Sequence, residues 1–202
     1  MFVFNPEDII ILIGIIFITL QNPFREYIVF DSYSSLKKHI PYAVQNHAIF
    51  GIVWFALYLL LAASVFLVFL ERAEIHRWVA YVLFSLYALI LSCTKIWTPI
   101  FFGLHHYILS RERAERVKKD KSASMAPIAH IIAFIDLIMV IILIICFIVF
   151  SLIANPNYDD LFWLPALFLC PSIVWLLYAG YLNLYAITIA SDDIELLLNI
   201  KK

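Results

Sequence analysis

Charge is scarce in this sequence. Only 14% of its 202 residues are Asp, Glu, Lys or Arg, and the net charge is −1, so nothing in the total favours a nucleic acid and none is expected as a partner. Cysteine is scarce too. Cys93, Cys146 and Cys170 stand singly in apolar stretches, without a CxxC spacing or a His/Cys cluster that would complete a metal site. They read as small apolar fillers. Also missing are a nucleophile elbow, a phosphate-binding loop, a metalloprotease helix and any paired-carboxylate arrangement, so no motif supports catalysis and no catalytic residue or required cofactor is expected.

What is present is apolar. Hydrophobic residues make up 64% of the chain and the mean hydropathy is +0.94, whereas soluble domains are about 45–50% apolar. A bilayer takes about 20 apolar residues per spanning helix, and the runs here fit that requirement repeatedly. Asn5-Pro6-Glu7-Asp8 carries cap, N-terminal proline and acidic first turn, which starts a first segment over 6–22. Its apolar run, Ile9 to Leu20, provides only about 18 Å at 1.5 Å per residue, so it spans only with the help of Gln21 and Asn22. A signal peptide is the rival reading, opposed by the lack of a basic residue before the run and of a small-residue cleavage site after it. A polar, tyrosine-rich loop (23–47) precedes a second segment at 48–70 and a third at 78–102. A basic linker (103–126) leads to a fourth at 127–154 and a fifth at 161–190. The expected fold is an all-α membrane protein, a single membrane domain built as a five-transmembrane-helix bundle.

Five crossings put the termini on opposite sides, and the basic residues orient the chain. Arg25, Lys37 and Lys38 in the first loop, Arg111, Arg113, Arg116, Lys118, Lys119 and Lys121 in the linker, and Lys201 and Lys202 at the end share one face; the other has only Arg72 and Arg77. The linker and the C-terminus are therefore expected in the cytosol, in a plasma membrane, endoplasmic reticulum or mitochondrial outer membrane.

Two charges fall inside segments. Lys95 lies eight residues before Gly103 and Asp136 nine after Pro127, which puts both about 12–14 Å below one face. A lone charge at that depth costs about 2.5–3.5 kcal/mol or more, so the two are expected to face inward and either pair or serve as a ligand anchor or proton relay. His130, six residues before Asp136, is expected to be solvated or to snorkel near the interface. His105-His106 reads as an interfacial pair.

The motif Phe50-Gly51-Ile52-Val53-Trp54-Phe55-Ala56-Leu57-Tyr58 resembles the F-G-P-x-W-x-x-L-Y signature of the TspO/MBR (translocator protein) family, with Ile52 at the proline position. Trp97-Thr98-Pro99-Ile100-Phe101-Phe102-Gly103 resembles that family's W-x-P-x-F-F-G. Pro171 to Trp175 followed by Tyr181-Leu182-Asn183 resembles its P-Y-x-x-W and later L-N, and Asp136 stands where some members carry an acid. These matches keep the family's order over roughly residues 30–190. The first-loop pattern is reduced to Tyr33, Leu36, Lys38 and Pro41-Tyr42; Thr94 replaces an asparagine; no basic residue closely follows Tyr181 or Tyr185. Cholesterol-recognition patterns occur by letters at Val29-Tyr33-Lys37 and Leu104-Tyr107-Arg111, a weak class of motif in any protein.

The resemblance implies a receptor or carrier for lipid-like cargo whose bundle binds a planar hydrophobic ligand, a tetrapyrrole such as porphyrin or haem, or a sterol such as cholesterol. Tyr42, Trp54, Tyr58, Trp97, Pro99, Trp175 and Asn183 would be its ligand-binding residues, and Lys95 and Asp136 its polar intramembrane pair. Trp54 and Tyr58, four apart, share a helix face that suits either ring stacking or helix packing. Membrane lipid is the other implied partner, and a homodimer stays open. Two alternatives remain: a membrane scaffold with a degenerate pocket, and weak light- or oxygen-dependent porphyrin breakdown.

Overall fold

The computed structural model describes residues 6–21, 47–70, 75–104, 126–154 and 163–199. Every regular element among them is helical. They are α1 (Pro6–Leu20), α2 (His47–Leu70), α3 (Arg77–Thr98) running into a π-helical turn (Pro99–Leu104), α4 (Ala126–Ile153) and α5 (Trp163–Asn199). α1 starts on Pro6 with Glu7 and Asp8 in its first turn, where a missing N–H costs nothing and the helix dipole favours acids. At the start of α3 the His76 carbonyl accepts from the N–H groups of Val79 (2.9 Å) and Ala80 (3.2 Å), so the helix opens on its own backbone.

Gly51–Leu70, Arg77–Phe101, His130–Ile153 and Trp163–Tyr185 are long and apolar enough to cross a membrane. The chain is thus a multi-pass membrane protein. Among the described residues these are four of the five spans expected; α1, at 15 residues, extends about 22 Å against a hydrocarbon core of about 30 Å. The fifth segment departs the other way: expected over 161–190, it is one 37-residue helix with Pro171 inside. Proline removes the donor that the Leu167 carbonyl would otherwise have, a loss that transmembrane helices tolerate.

Burial follows helical periodicity with the chemistry of a soluble protein reversed. In α4 the buried residues His130, Ala133, Leu137, Val140, Ile144, Phe147 and Ser151 step by threes and fours down one stripe. Ile131, Ile135, Ile138, Ile142 and Ile145, on other sides of the same helix, are exposed. The polar groups sit inside because lipid is as apolar as isoleucine and gives burial of isoleucine no advantage. Most of them bond locally: Ser151 donates to the Phe147 carbonyl (2.8 Å), and Ser64 lies within donating distance of the Leu60 (2.8 Å) and Pro165 (3.1 Å) carbonyls.

The chain divides into two compact units, one of Met1–Asn22, His47–Ser92 and Val140–Trp175, the other of Pro23–Asn46, Cys93–Met139 and Leu176–Lys202. In the first, α1 packs on α2 and its buried Thr19 ties it to α3. The Thr19 hydroxyl donates to the Ile15 carbonyl at 2.6 Å and shares a hydrogen bond with the Tyr87 hydroxyl; having one proton, it accepts from Tyr87 when it donates to Ile15. Trp78 meets Phe150 edge-on at 6.4 Å. In the second unit a Cβ on Gly180 would lie 3.6 Å from the Phe134 ring, so α4 and α5 approach closely there.

Candidate functional site

The second unit gathers most of the chemistry. α3 and the π-helical turn that continues it carry Thr94, Trp97 and Phe101 at steps of three and four, all buried. Pro99 removes the N–H that would serve the Lys95 carbonyl, and the chain passes into the wider π register at that point, a register that shifts hydrogen bonding by one residue and recurs at functional sites. Trp97 stacks on Phe101 with ring centres 5.0 Å apart and planes 17° from parallel. Phe101 in turn lies 4.9 Å from the His130 imidazole, tilted by 59°. Trp97 is 2% exposed and His130 0%, so the three rings form a closed aromatic column. This corrects the expectation of a solvated His130: it belongs to the buried stripe of α4.

Asp136 and Asn183 supply the polar atoms. The Cys93 thiol donates a hydrogen bond to the Asp136 carboxylate, which corrects the reading of Cys93 as an apolar filler. Oδ2 of Asp136 is buried with no hydrogen-bond partner. Asn183 is 0% exposed; its Nδ2 donates to the Ala179 carbonyl at 2.8 Å, while its Oδ1 is buried and has no hydrogen-bond partner. Such orphaned acceptors are rare in folded proteins and each costs about 1–3 kcal/mol. Lys95 is half-buried and leaves α3 two positions after Cys93, where residues do not share a face.

Trp54, Tyr58 and Trp175 belong to the first unit. Trp54 and Tyr58 are half-buried on one side of α2, their ring centres 5.7 Å apart and their planes 34° apart, and Trp175 is half-buried on α5. Trp97, Pro99 and Asn183 are in the second unit. Tyr42, the first-loop motif, His105-His106 and the basic linker lie outside the described residues. Reading residues one by one missed His130, Phe101 and Cys93. His130 was findable, because it continues the three-four stripe through Ala133 and Leu137. The thiol–carboxylate bond has no counterpart in sequence, since it joins two helices.

No curated protein and no solved structure matched the chain. A family model described as the TspO/MBR family matches residues 9–111. That stretch holds α1, α2, α3 and the π-helical turn, with Trp54, Tyr58, Trp97 and Pro99; Asp136, Trp175 and Asn183 lie beyond it.

Proposed function

The chain belongs to the TspO/MBR family, and from that premise we propose that it is an integral membrane receptor or carrier for a planar hydrophobic ligand, a porphyrin, haem or a sterol. The observation that carries this reading is the Trp54–Tyr58 pair. Both rings lie within the family match, are tilted on one another at 5.7 Å, and are half-buried on one side of α2. A flat apolar molecule stacks on such a surface through dispersion and quadrupole interactions. Trp97 differs, because Phe101 already covers one of its faces.

The chemistry proposed is binding. The excess of Lys and Arg in the linker and at the C-terminus supports placing both in the cytosol. Titration of the detergent-solubilised protein with protoporphyrin or a sterol, followed through tryptophan fluorescence, should show saturable binding. Trp54→Ala should weaken it by about 1–3 kcal/mol, as loss of a buried aromatic contact does. Unchanged affinity in well-folded Trp54→Ala and Tyr58→Ala proteins would replace this reading with that of a membrane scaffold.

A further inference from the structure

The depth at which α1 stops is fixed by a side-chain contact. Thr19, the buried residue of α1, shares a hydrogen bond with the Tyr87 hydroxyl. Tyr87 stands ten residues after Arg77 and fourteen before Phe101 in the span Arg77–Phe101, which is about 15 Å from one end and about 21 Å from the other. Gln21, two residues past Thr19, is within about 3 Å of that level whichever way α1 runs. It is therefore no nearer than about 12 Å to either end of the span.

The helix does not continue from there. Gln21 donates its N–H to the Phe17 carbonyl at 2.9 Å but is itself outside the helix, and it is exposed. Position 23 is proline, which has no N–H to offer the Thr19 carbonyl. The final turn of a helix leaves carbonyls without intrahelical donors, and here those groups stand beside a side-chain amide near the middle of a span. Non-helical backbone at membrane depth is tolerated where protein encloses it or where it lines water, and not where it meets lipid. The exposure of Gln21 removes the first arrangement and leaves the second.

We propose that an aqueous vestibule reaches the end of α1 at mid-depth, with Gln21 on its wall and the Thr19–Tyr87 hydrogen bond holding the helix end beside it. Its occupants are water and small hydrophilic solutes. Water donates to the terminal carbonyls and both donates to and accepts from the Gln21 amide, none of which lipid can do. For the ligand proposed above the vestibule has a use: the polar end of an amphipathic molecule, a propionate or a hydroxyl, stays hydrated while its rings lie against apolar side chains. The inference itself rests on the helix end alone and stands apart from that reading.

The test is cysteine labelling of the full chain in lipid vesicles with a charged methanethiosulfonate supplied on both sides. Mass spectrometry locates the label, so the native cysteines stay in place. Gln21→Cys changes one exposed residue and leaves Thr19 and Tyr87 as they are. Leu89→Cys is the comparison: Leu89 is exposed and lies within about 3 Å of the level of Tyr87, but about 200° around α3 from it. The Gln21→Cys protein should react about a hundredfold faster, because thiolate and charged reagent meet in water and a charge at the centre of a span carries a penalty of that order. Equal rates overturn the inference. If both are slow, no water stands at the end of α1; if both are fast, the bilayer is thinned around the whole chain. Ligand titration of the unmodified protein is read separately, so failure of ring binding leaves this result untouched and failure of labelling leaves ring binding untouched.

Discussion

Trp54 and Trp97 sit in motifs that look alike on paper, and their surroundings separate them. Trp97 is 2% exposed and stacked on Phe101, so Trp97→Ala opens a cavity and should lower stability by about 3–5 kcal/mol in detergent unfolding. Trp54→Ala should cost far less stability and show its effect in ligand titration. Cys93 and Asp136 form a second contrast with their sequence neighbourhood. Cys93→Ala removes the donor and leaves the carboxylate exposed to the full desolvation cost, whereas Cys93→Ser keeps an O–H at the same place. In a double-mutant cycle with Asp136→Leu, Cys93→Ala should show a coupling of about 1–2 kcal/mol, and Cys93→Ser should retain most of the wild-type stability. Additive effects in that cycle would mean the thiol does not hold the carboxylate. The pairing expected of Lys95 is answered by the same cycle run with Lys95→Met.

At the scale of the element, α1 behaves unlike the four helices long enough to span. Thr19, one residue before its end, bonds to Tyr87, which lies ten residues into α3, or about 15 Å from that helix's start. The end of α1 is thereby held at the middle of α3 by two hydroxyls. Thr19→Val and Tyr87→Phe should each cost about 1 kcal/mol, and the double variant about as much as either alone, since one hydrogen bond cannot be lost twice. Unfolding in detergent reads this, and strict additivity would show that the hydroxyls do not meet. α5 carries its own markers of depth: Trp163 is exposed at its start, while Tyr181 and Tyr185 are exposed and stacked at 6.3 Å. Trp163 lies about 27–33 Å from those tyrosines by helical rise, near the thickness of a hydrocarbon core, and aromatic residues concentrate at both interfaces. Shallow brominated lipids should therefore quench Trp78 and Trp163, both exposed to the outside, and leave the enclosed Trp97 untouched.

For the whole molecule the basic residues make the prediction: a tag placed between Arg111 and Lys121 should be reached from the cytosol in intact cells, and its protection would reverse the proposed orientation. Family membership was legible because the F-G-x-x-W and W-x-P-x-F-F-G motifs are local, and the matched residues 9–111 contain both. The helices α2 to α5 were legible for a related reason, since runs such as Ala126–Ile153 exceed what a soluble core of this size would hide. Sequence alone thus determined a helical membrane protein of this family, because hydropathy and motif order are properties of the chain read in a line. Tertiary structure decided which side of each helix is enclosed. Nothing in the order of residues says that Cys93 would reach Asp136 or that Phe101 would lie against His130. Each of these joins groups that only folding brings together, and in a chain apolar on every side of its helices, composition does not reveal which face turns inward.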